Sequence, residues 1–149
     1  MKLVIQRVTE AQVSTGGETL SRIGAGMMVL VGIHADDTEA DVEAMARKTA
    51  ALRIFDDADG VMNLSVTQTG GEILAVSQFT LLAQKRRGNR PSYIEAARPE
   101  KAEPLYELYC RRLGELTGQS VGRGRFGADM KVSLVNDGPV TIIMDTRAQ

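Results

Sequence analysis

The sequence predicts a single α/β domain over residues 1–149, with a mainly antiparallel or mixed β-sheet that curves like a barrel and two principal helices packed outside it. Three observations predict this fold class. Strand-like segments outnumber helical ones, their order is not a regular βαβ alternation, and no repeat, low-complexity stretch or long linker divides the chain. A chain of this length buries about 68–70% of its unfolded surface, so its core needs neither disulfides nor structural metal.

The first third of the chain is predicted to form strands joined by turns. Short apolar runs bounded by Gly or polar clusters are typical of strands. The predicted strands are 2–8, 10–14, 19–23 and 27–33, with a turn at 15–18 and bends at Gly24 and Gly26. This stretch supplies much of the predicted sheet.

A change of period after residue 35 predicts the first helix. Its N-cap candidates are Asp36, Asp37 and Thr38. Residues at helical spacing then form one face, which is predicted to continue through Leu52 and Ile54. The face comprises Val42, Met45, Ala46 and Thr49. Residues 56–60 close this helix with a turn.

Two strands and a long polar segment follow. The strands are predicted at 61–66 and 72–79, and the second is expected to be largely buried. The polar segment 83–98 is too long for a simple connection, so we expect it to be functional.

The second helix is predicted within 99–117, with Pro99 or Pro104 in its first turn and Gly118 as the residue that ends it. Its expected apolar stripe is Leu105, Leu108, Tyr109 and Leu116, with Cys110 beside it as a core or boundary residue. Two last strands are predicted at 129–135 and 140–146, separated by residues 136–139.

The charge balance provides no general attraction to nucleic acid. Eighteen basic and nineteen acidic residues leave a net charge of −1, and non-specific affinity depends on how many phosphates are neutralised. An RNA contact must therefore be local, and neither DNA nor a membrane is expected as a partner. The candidate is a basic patch, for which a solvated loop is the simpler interpretation. It consists of Lys85, Arg86, Arg87 and Arg90.

The compartment is predicted from the cysteine count and the first residues. Cys110 is the only cysteine, and a lone thiol fits a reducing cytosol better than a secretory route. Only three apolar residues precede Gln6 and Arg7, too few for the core of a signal peptide, and no apolar run reaches about 18 residues. We therefore expect a cytoplasmic protein.

Several motifs do not fit the context that their chemistry requires. Residues 122–127 spell GxGxxG, but a strand pattern follows them, whereas a dinucleotide site needs a helix there. Residues 57–60 lack the opening and closing ligands of a calcium loop. One histidine and one cysteine supply no usual zinc ligand set, so no metal and no cofactor are expected. His34 is interpreted as a capping or surface residue and not as a catalytic base.

Two segments are not explained by periodicity. Residues 77–82, Ser-Gln-Phe-Thr-Leu-Leu, end a predicted buried strand with hydroxyl and amide groups. Residues 136–141, Asn-Asp-Gly-Pro-Val-Thr, place a Gly-Pro pair between two strands. Each segment alone has an ordinary interpretation, as a strand end and as a turn.

Together the two segments resemble the double signature of the D-aminoacyl-tRNA deacylases, also called D-tyrosyl-tRNA deacylases. The resemblance covers nearly the whole chain and includes residues 6–8, 52–55 and 126–130. It implies a cytoplasmic homodimer that cleaves the ester between a D-amino acid and the acceptor end of tRNA. This reaction would keep D-residues from the ribosome, and the resemblance implies that glycine mischarged on tRNA is a substrate too.

The resemblance also implies roles for the two segments. Gly138-Pro139 would be a cis peptide, a form found in only about 5–6% of X-Pro bonds in folded proteins, and would enter the pocket of the partner subunit. Its main-chain carbonyls would exclude an L side chain by steric contact. The catalytic side would consist of Ser77, Gln78, Phe79 and Thr80, with backbone N–H groups near Phe79 and Thr80 to hold the oxyanion.

Three further residues are expected near the site. Phe126 and Met130 are candidate neighbours of the terminal adenine, and ordinary packing on a strand face is the alternative. Arg7 lies in an apolar strand and needs a partner, so we expect it to hold the Gly-Pro segment or a carbonyl beside it.

Alternative functions stay open at this stage. Thr80 has no visible base to remove its proton, and a bare threonine hydroxyl is a weak nucleophile. We therefore predict that Thr80 positions the substrate, whose 2′-hydroxyl on the terminal ribose assists water. The competing hypotheses are covalent catalysis by Thr80 and a dimer that binds RNA or another ligand without turnover.

Overall fold

A computed structural model of the protein describes residues 1–84 and 88–147. Three helices, a 3₁₀ helix and eight strands follow one another along these residues. In chain order they are β1 Lys2–Thr15, β2 Glu18–Ile23, β3 Gly26–Gly32, α1 Glu39–Ala51, β4 Phe55–Asp56, β5 Met62–Leu64, α2 Val66–Thr69, β6 Glu72–Ser77, the 3₁₀ helix Phe79–Leu82, α3 Pro99–Thr117, β7 Gly122–Arg123 and β8 Lys131–Asp145.

The main sheet is mixed and is organised around β1. The first half of β1 pairs antiparallel with β3, its second half with β2, and nearly its whole length with β8. β3 continues in parallel to β6, and β6 in parallel to β7. β7 comes back close to β2, because a Cβ on Gly122 would lie 2.3 Å from Ser21 Oγ. The sheet thus nearly closes into a barrel, which confirms the predicted fold class.

Two apolar clusters lie on opposite faces of this sheet. The larger one joins alternate strand residues such as Ile5 and Val29 to the buried faces of α1 and α3. The smaller one contains only strand and strand-flanking residues, among them Val13, Met28 and Leu74. β3 and β6 therefore bury both of their faces, which explains their nearly continuous apolar sequences.

Helix α1 begins as predicted and ends earlier than predicted. Thr38 is the N-cap and forms a capping box with Asp41, and all four residues of the predicted face are buried. The prediction that the helix continues through Leu52 and Ile54 is wrong, because Leu52 is already extended, with φ −64° and ψ 123°. Ile54 is nevertheless buried; its apolar character reflects core packing of an extended segment.

Helix α3 has the predicted bounds. Pro99 occupies its first turn and Gly118 ends it in the left-handed conformation, with φ 74°. Its buried face differs from the predicted stripe, since Leu108 and Leu116 are only half-buried. The buried residues are Ala102, Leu105, Tyr106, Tyr109, Cys110 and Leu113. Among the described residues, no helix is both long and apolar enough to cross a membrane.

The strands differ from the prediction at several places. β1 and β8 are each continuous, and the breaks expected at residue 9 and at 136–139 are irregularities in their pairing. The predicted strand 61–66 is shorter because Ser65 and Gln68 form a capping box that starts α2. β6 ends at Ser77, because the chain turns into the 3₁₀ helix.

Candidate active site

A pocket of about 720 Å³ opens beside the last residues of β3 and β6. It brings together six of the residues that the sequence analysis assigned to the site: Ser77, Gln78, Phe79, Thr80, Phe126 and Met130. Apolar residues of β3, of the start of α3 and of the segment before it complete the lining, including Val31, Ala102 and Ala97. Residues 77–80 and 126–130 are almost fifty positions apart in sequence, and the sheet and α3 bring them together.

The segment Ser77–Thr80 leaves the sheet and turns. Gln78 still donates its N–H to Val31 O at 2.7 Å, whereas the next donors of the turn are Leu81, to Gln78 O at 3.3 Å, and Ala83, to Thr80 O at 3.1 Å. The N–H groups of Phe79 and Thr80 therefore lie at the start of a helical turn, where no acceptor within the turn is available. They make no hydrogen bond to any part of the chain that the structure describes.

The side chains of this segment differ in their surroundings. Gln78 Nε2 donates to Thr80 Oγ1 at 3.0 Å. The Phe79 ring is 57% exposed and meets the ring of Tyr93 edge-on, with 5.0 Å between centroids. Tyr93 also lines the pocket, so the two rings form its aromatic rim. Tyr93 is not among the site residues predicted from the sequence, although it lies within the polar segment 83–98 that is expected to be functional.

Residues 126–130 form the opposite wall. Ala128 donates its N–H to Arg125 O at 3.1 Å, which closes a turn over Phe126 and Gly127. The Phe126 ring lies 6.2 Å from the ring of Tyr106 on α3. Tyr106 in turn donates its hydroxyl to Ala75 O in β6 at 2.6 Å, so α3 connects this wall to the strand that ends at Ser77.

Tyr106 was missed by the sequence analysis. The sequence did contain a signal for it: a tyrosine follows Leu105 on the apolar face of a predicted helix. A buried tyrosine hydroxyl needs a hydrogen-bond partner, so this position could have been singled out. Burial raises the pKa of the Tyr106 hydroxyl well above its ordinary value. The group therefore stays protonated and donates to Ala75 O, and it is not a base.

The described residues that line the pocket include no histidine or cysteine. His34 lies elsewhere, and its Nδ1 accepts a hydrogen bond from the N–H of Asp36 at 3.1 Å. Cys110 is buried, and burial raises the pKa of its thiol to about 11. Asp129 is the one carboxylate of this lining; its side chain is 89% exposed and lies 3.4 Å from Lys131 Nζ. The pocket therefore offers backbone donors and neutral polar groups more than a side-chain base.

The Gly138-Pro139 segment lies outside this pocket. Its peptide bond is cis, both residues are exposed, and neither lines the pocket of its own chain. Thr141 pairs with Gln6 and Asn136 with Val8, so residues 137–140 bulge out opposite Arg7 alone. We call this bulge the Gly-Pro projection.

Hydrogen bonds tie the projection to the sheet. Arg7 is buried; its Nε donates to Asp137 O at 2.9 Å and its Nη1 to Ile54 O at 2.8 Å. This is the kind of carbonyl contact that the sequence predicted for Arg7. Across the neck of the projection, Val140 donates its N–H to Asn136 Oδ1 at 2.8 Å. Gly138 has φ +136°, and a Cβ there would lie 3.1 Å from Arg7 Nη2, so the position requires glycine.

The basic patch is described only in part. Lys85, Arg86 and Arg87 lie outside the described residues. Arg90 is exposed and is not among the residues that line the pocket. A contact of this patch with tRNA therefore stays a prediction.

The sequence matches known deacylases over nearly its full length. Residues 4–145 match the family model described as D-Tyr-tRNA(Tyr) deacylase. A protein of Porphyromonas gingivalis named D-aminoacyl-tRNA deacylase is 60% identical over 98% of this chain and 97% of its own. A protein of Akkermansia muciniphila with the same name is 58% identical over 99% of this chain and 98% of its own.

Solved structures show the same fold. One described as a c-Myc DNA Unwinding Element Binding Protein is 43% identical, with a TM-score of 0.92 over 99% of this chain and 100% of that one. Another, of a probable eukaryotic D-amino acid tRNA deacylase, shares the fold at 16% identity, with a TM-score of 0.83 over 96% and 97% of the two chains. The family resemblance is thereby confirmed: this chain belongs to the D-Tyr-tRNA(Tyr) deacylase family.

Proposed function

We propose that this protein hydrolyses the ester bond of D-aminoacyl-tRNA and releases the free D-amino acid and the tRNA. Family membership and the names of its relatives support this reaction. The observation that carries it for this chain is that Ser77–Thr80 and Phe126–Met130 line one pocket of about 720 Å³. Small-molecule sites measure roughly 300–1,000 Å³, so the pocket suits the aminoacylated terminal nucleoside of a tRNA.

The N–H groups of Phe79 and Thr80 are the proposed oxyanion donors. Attack on the ester carbonyl moves negative charge onto its oxygen, and one oriented donor stabilises such a transition state by about 2.7–4 kcal/mol. Both groups start the 3₁₀ helix beside the pocket and have no hydrogen-bond acceptor within the part of the chain that the structure describes. They are therefore available to a substrate oxygen.

Substrate assistance is the proposed source of the missing base. Gln78 donates to Thr80 Oγ1, a contact that cannot remove the proton of the hydroxyl. We infer that the 2′-hydroxyl of the terminal ribose positions or activates a water molecule. Water adds to the carbonyl carbon, the bond from that carbon to the ester oxygen of the ribose breaks, and the ribose oxygen takes up the proton that water loses.

The Gly-Pro projection is proposed to complete the pocket of a second copy. It is exposed in its own chain and does not line that chain's pocket, while Arg7 and Asn136 tie it down. A homodimer provides one pocket for each projection. There the backbone carbonyls of Gly138 and Pro139 would exclude an L side chain without contacting a D side chain, so D-amino acids of different sizes would be accepted.

Glycyl-tRNA is a proposed second substrate. Glycine has no side chain for such a wall to exclude, so steric rejection leaves it unaffected. We place the activity in the cytoplasm, where aminoacyl-tRNA is consumed in translation.

The test compares D-Tyr-tRNA with L-Tyr-tRNA and Gly-tRNA, all on the same tRNA. We expect free amino acid from the D-tyrosyl and glycyl forms only. Binding without release from any of them would contradict hydrolysis and favour a binding protein, and equal release from both tyrosyl forms would contradict chiral selection.

Duplex DNA is the competitor control. One relative of known structure carries the name of a DNA-element binding protein, whereas the net charge of −1 gives this chain no general attraction to DNA. We therefore expect an equal phosphate concentration of duplex DNA to leave hydrolysis unchanged. Inhibition that depends on the DNA would support a DNA-binding function.

A further inference from the structure

Gly124 leaves the space in which the thioether of Met130 packs. A Cβ on Gly124 would lie 2.5 Å from Met130 Sδ and 3.5 Å from Met130 Cε. Real side chains do not approach so closely, so any other residue at position 124 must displace the Met130 side chain. Gly124 belongs to the GxGxxG motif at residues 122–127, which has no assigned role because a dinucleotide site is excluded there.

The sulfur also contacts the backbone beside this glycine. Arg125 donates its N–H to Met130 Sδ at 3.3 Å. The next residues form the turn that Ala128 closes on Arg125 O. Arg125 begins this turn and Met130 follows it. The hydrogen bond between them therefore joins the two ends of the segment 124–130.

That segment is a wall of the pocket. Phe126 and Met130 both line it, whereas Gly124 does not. Phe126 contacts the ring of Tyr106, which donates its hydroxyl to Ala75 O in the strand that ends at Ser77. A displacement of Met130 thus changes the wall directly, and because the sulfur accepts from the N–H of Arg125, it also disturbs the backbone next to Phe126.

We propose that Gly124 is a positioning residue for the active site. By leaving room for Met130 it sets the position of the Phe126–Met130 wall, and so the fit of the terminal aminoacyl-nucleoside, without touching the substrate. The inference rests on the proposed function, because aminoacyl-tRNA is the ligand whose fit is affected.

The backbone at Gly124 permits a clean test. Its φ lies outside the left-handed region that disfavours alanine. The atom that a new Cβ would meet first is the flexible end of a methionine, and the next neighbour beyond Met130 is Val13 Cγ2 at 3.6 Å, an ordinary contact. Gly124→Ala should therefore fold normally and disturb only the wall.

The first measurement is the steady-state kinetics of D-Tyr-tRNA hydrolysis. For Gly124→Ala we expect KM to rise by about tenfold, kcat to stay within about twofold, and Tm to stay near that of the wild type. The matched control is Gly114→Ala in α3, whose Cβ would meet the backbone oxygen of Gln119 at 2.9 Å and which does not line the pocket. It should lower Tm and leave KM unchanged, as a purely structural glycine would.

The second measurement separates a direct effect from one exerted through Met130. In a Met130→Ala background the nearest remaining neighbour of the added Cβ at position 124 is Val13 Cγ2, at 3.6 Å, so Gly124→Ala should raise KM no further. Effects on KM that multiply in the double variant would overturn the inference. So would a Gly124→Ala enzyme whose KM is unchanged, or one that loses Tm without a change in KM.

A readout without turnover keeps this inference separate from the proposed function. In protein labelled with ¹³C on the methionine methyl groups and on the phenylalanine rings, Gly124→Ala should shift the Met130 methyl resonance and the ring signals of Phe126. Unshifted signals would overturn the inference even in an active enzyme. A wild-type protein that releases no D-amino acid would overturn the proposed function, and the spectra would still decide whether Gly124 sets the wall.

Discussion

The pocket and the Gly-Pro projection are built in opposite ways. In the pocket, the N–H groups of Phe79 and Thr80 have no acceptor within the described chain. In the projection, the backbone is tied by Arg7 and Asn136, yet Gly138 and Pro139 themselves face solvent. A group that stabilises a transition state must be free to bond the substrate, whereas a group that excludes the wrong enantiomer must not move aside. The contrast fits our proposal that the pocket catalyses hydrolysis and that the projection rejects the L-enantiomer.

We expect the largest effect from removing the 2′-hydroxyl of the substrate's terminal ribose. Replacing the terminal adenosine by its 2′-deoxy form should lower the rate of D-Tyr-tRNA deacylation by roughly a hundredfold or more. The described lining of the pocket has no histidine, and its carboxylate, Asp129, is 89% exposed. Thr80→Ala should keep the rate within about tenfold of the wild type if, as we propose, Thr80 only positions the substrate. Single-turnover deacylation measures both.

The opposite pattern would contradict the proposed mechanism of the pocket. An inactive Thr80→Ala enzyme, an acyl-threonine trapped in the wild type, and an unaffected 2′-deoxy substrate would together show covalent catalysis. Thr80→Ser is the matched control, since it keeps a hydroxyl and should behave like the wild type under either mechanism.

The next effect concerns selectivity. Arg7→Ala removes the donor to Asp137 O and Ile54 O and should cost about 1–3 kcal/mol of stability for the unpaired carbonyls. With the projection released, we expect hydrolysis of L-Tyr-tRNA to rise by about tenfold relative to D-Tyr-tRNA. Arg22→Ala is the control, because Arg22 is exposed and, among the residues that the structure describes, its one ion pair is with Glu10 at 3.8 Å. If the Arg7→Ala enzyme keeps its selectivity, the projection is not what rejects L-Tyr-tRNA.

A smaller effect tests whether the two regions belong to different chains. An Arg7→Ala chain keeps the pocket. A Phe79→Pro chain keeps the projection but lacks the N–H donor of residue 79, and Gln78 before it is extended, as proline requires. A mixed dimer therefore contains one intact pair. Random mixing makes half of the dimers mixed, and selective activity should recover to about a quarter of the wild-type level. Absence of recovery, or full activity and selectivity in a monomer at high dilution, would show that each chain completes its own site.

The individual helices and strands were largely predictable from the sequence, whereas the contacts between them were not. Pro99 and Gly118 mark the ends of α3 through their own backbone preferences, so its bounds were predicted correctly. The alternation of β1 is disturbed at Thr9 and Glu10, both exposed. That disturbance was visible, but the continuation of the strand through it depends on pairing with β8. Sequence patterns report the neighbours along the chain and not the partner across the sheet.

The same limit applies to the site. Ser77–Thr80 and Phe126–Met130 were selected by family resemblance, and no spacing rule connects them. Tyr106 and Tyr93 were missed because their roles depend on contacts with Ala75 O and Phe79 that only the fold creates. The contact of Arg7 was anticipated because a buried guanidinium must find acceptors, a requirement that is local.

A still smaller effect tests the basic patch. Alanine at both Lys85 and Arg86 should flatten the slope of log K against log salt for tRNA binding by about 0.7–0.9 for each phosphate that the variant no longer neutralises. Arg47 and Arg111 on the outer helices are the matched pair of controls and should leave the slope unchanged. An unchanged slope in the Lys85/Arg86 variant would return the patch to a solvated loop and leave phosphate binding to other residues around the pocket.

The smallest effect lies away from both regions, at the contact between α1 and α3. Arg112 donates to both carboxylate oxygens of Glu43, at 2.6 and 2.7 Å, and holds the pKa of Glu43 at about 2, below its ordinary 4.5. Since the folded pKa is the lower one, the pair stabilises the fold above about pH 4.5, and this contribution is lost as the pH falls towards 2.

Glu43→Gln should therefore lower Tm slightly at neutral pH, and the difference from the wild type should disappear near pH 2. Because Glu43 neither lines the pocket nor contacts the projection, KM and the preference for the D-substrate should not change. Thermal denaturation across this pH range measures the first expectation and the D/L assay the second. A Tm difference that persists in acid would mean that Glu43 stabilises the helices by packing. A change in selectivity would mean that the contact between α1 and α3 reaches the site, and the division of the molecule into two functional regions would then be incomplete.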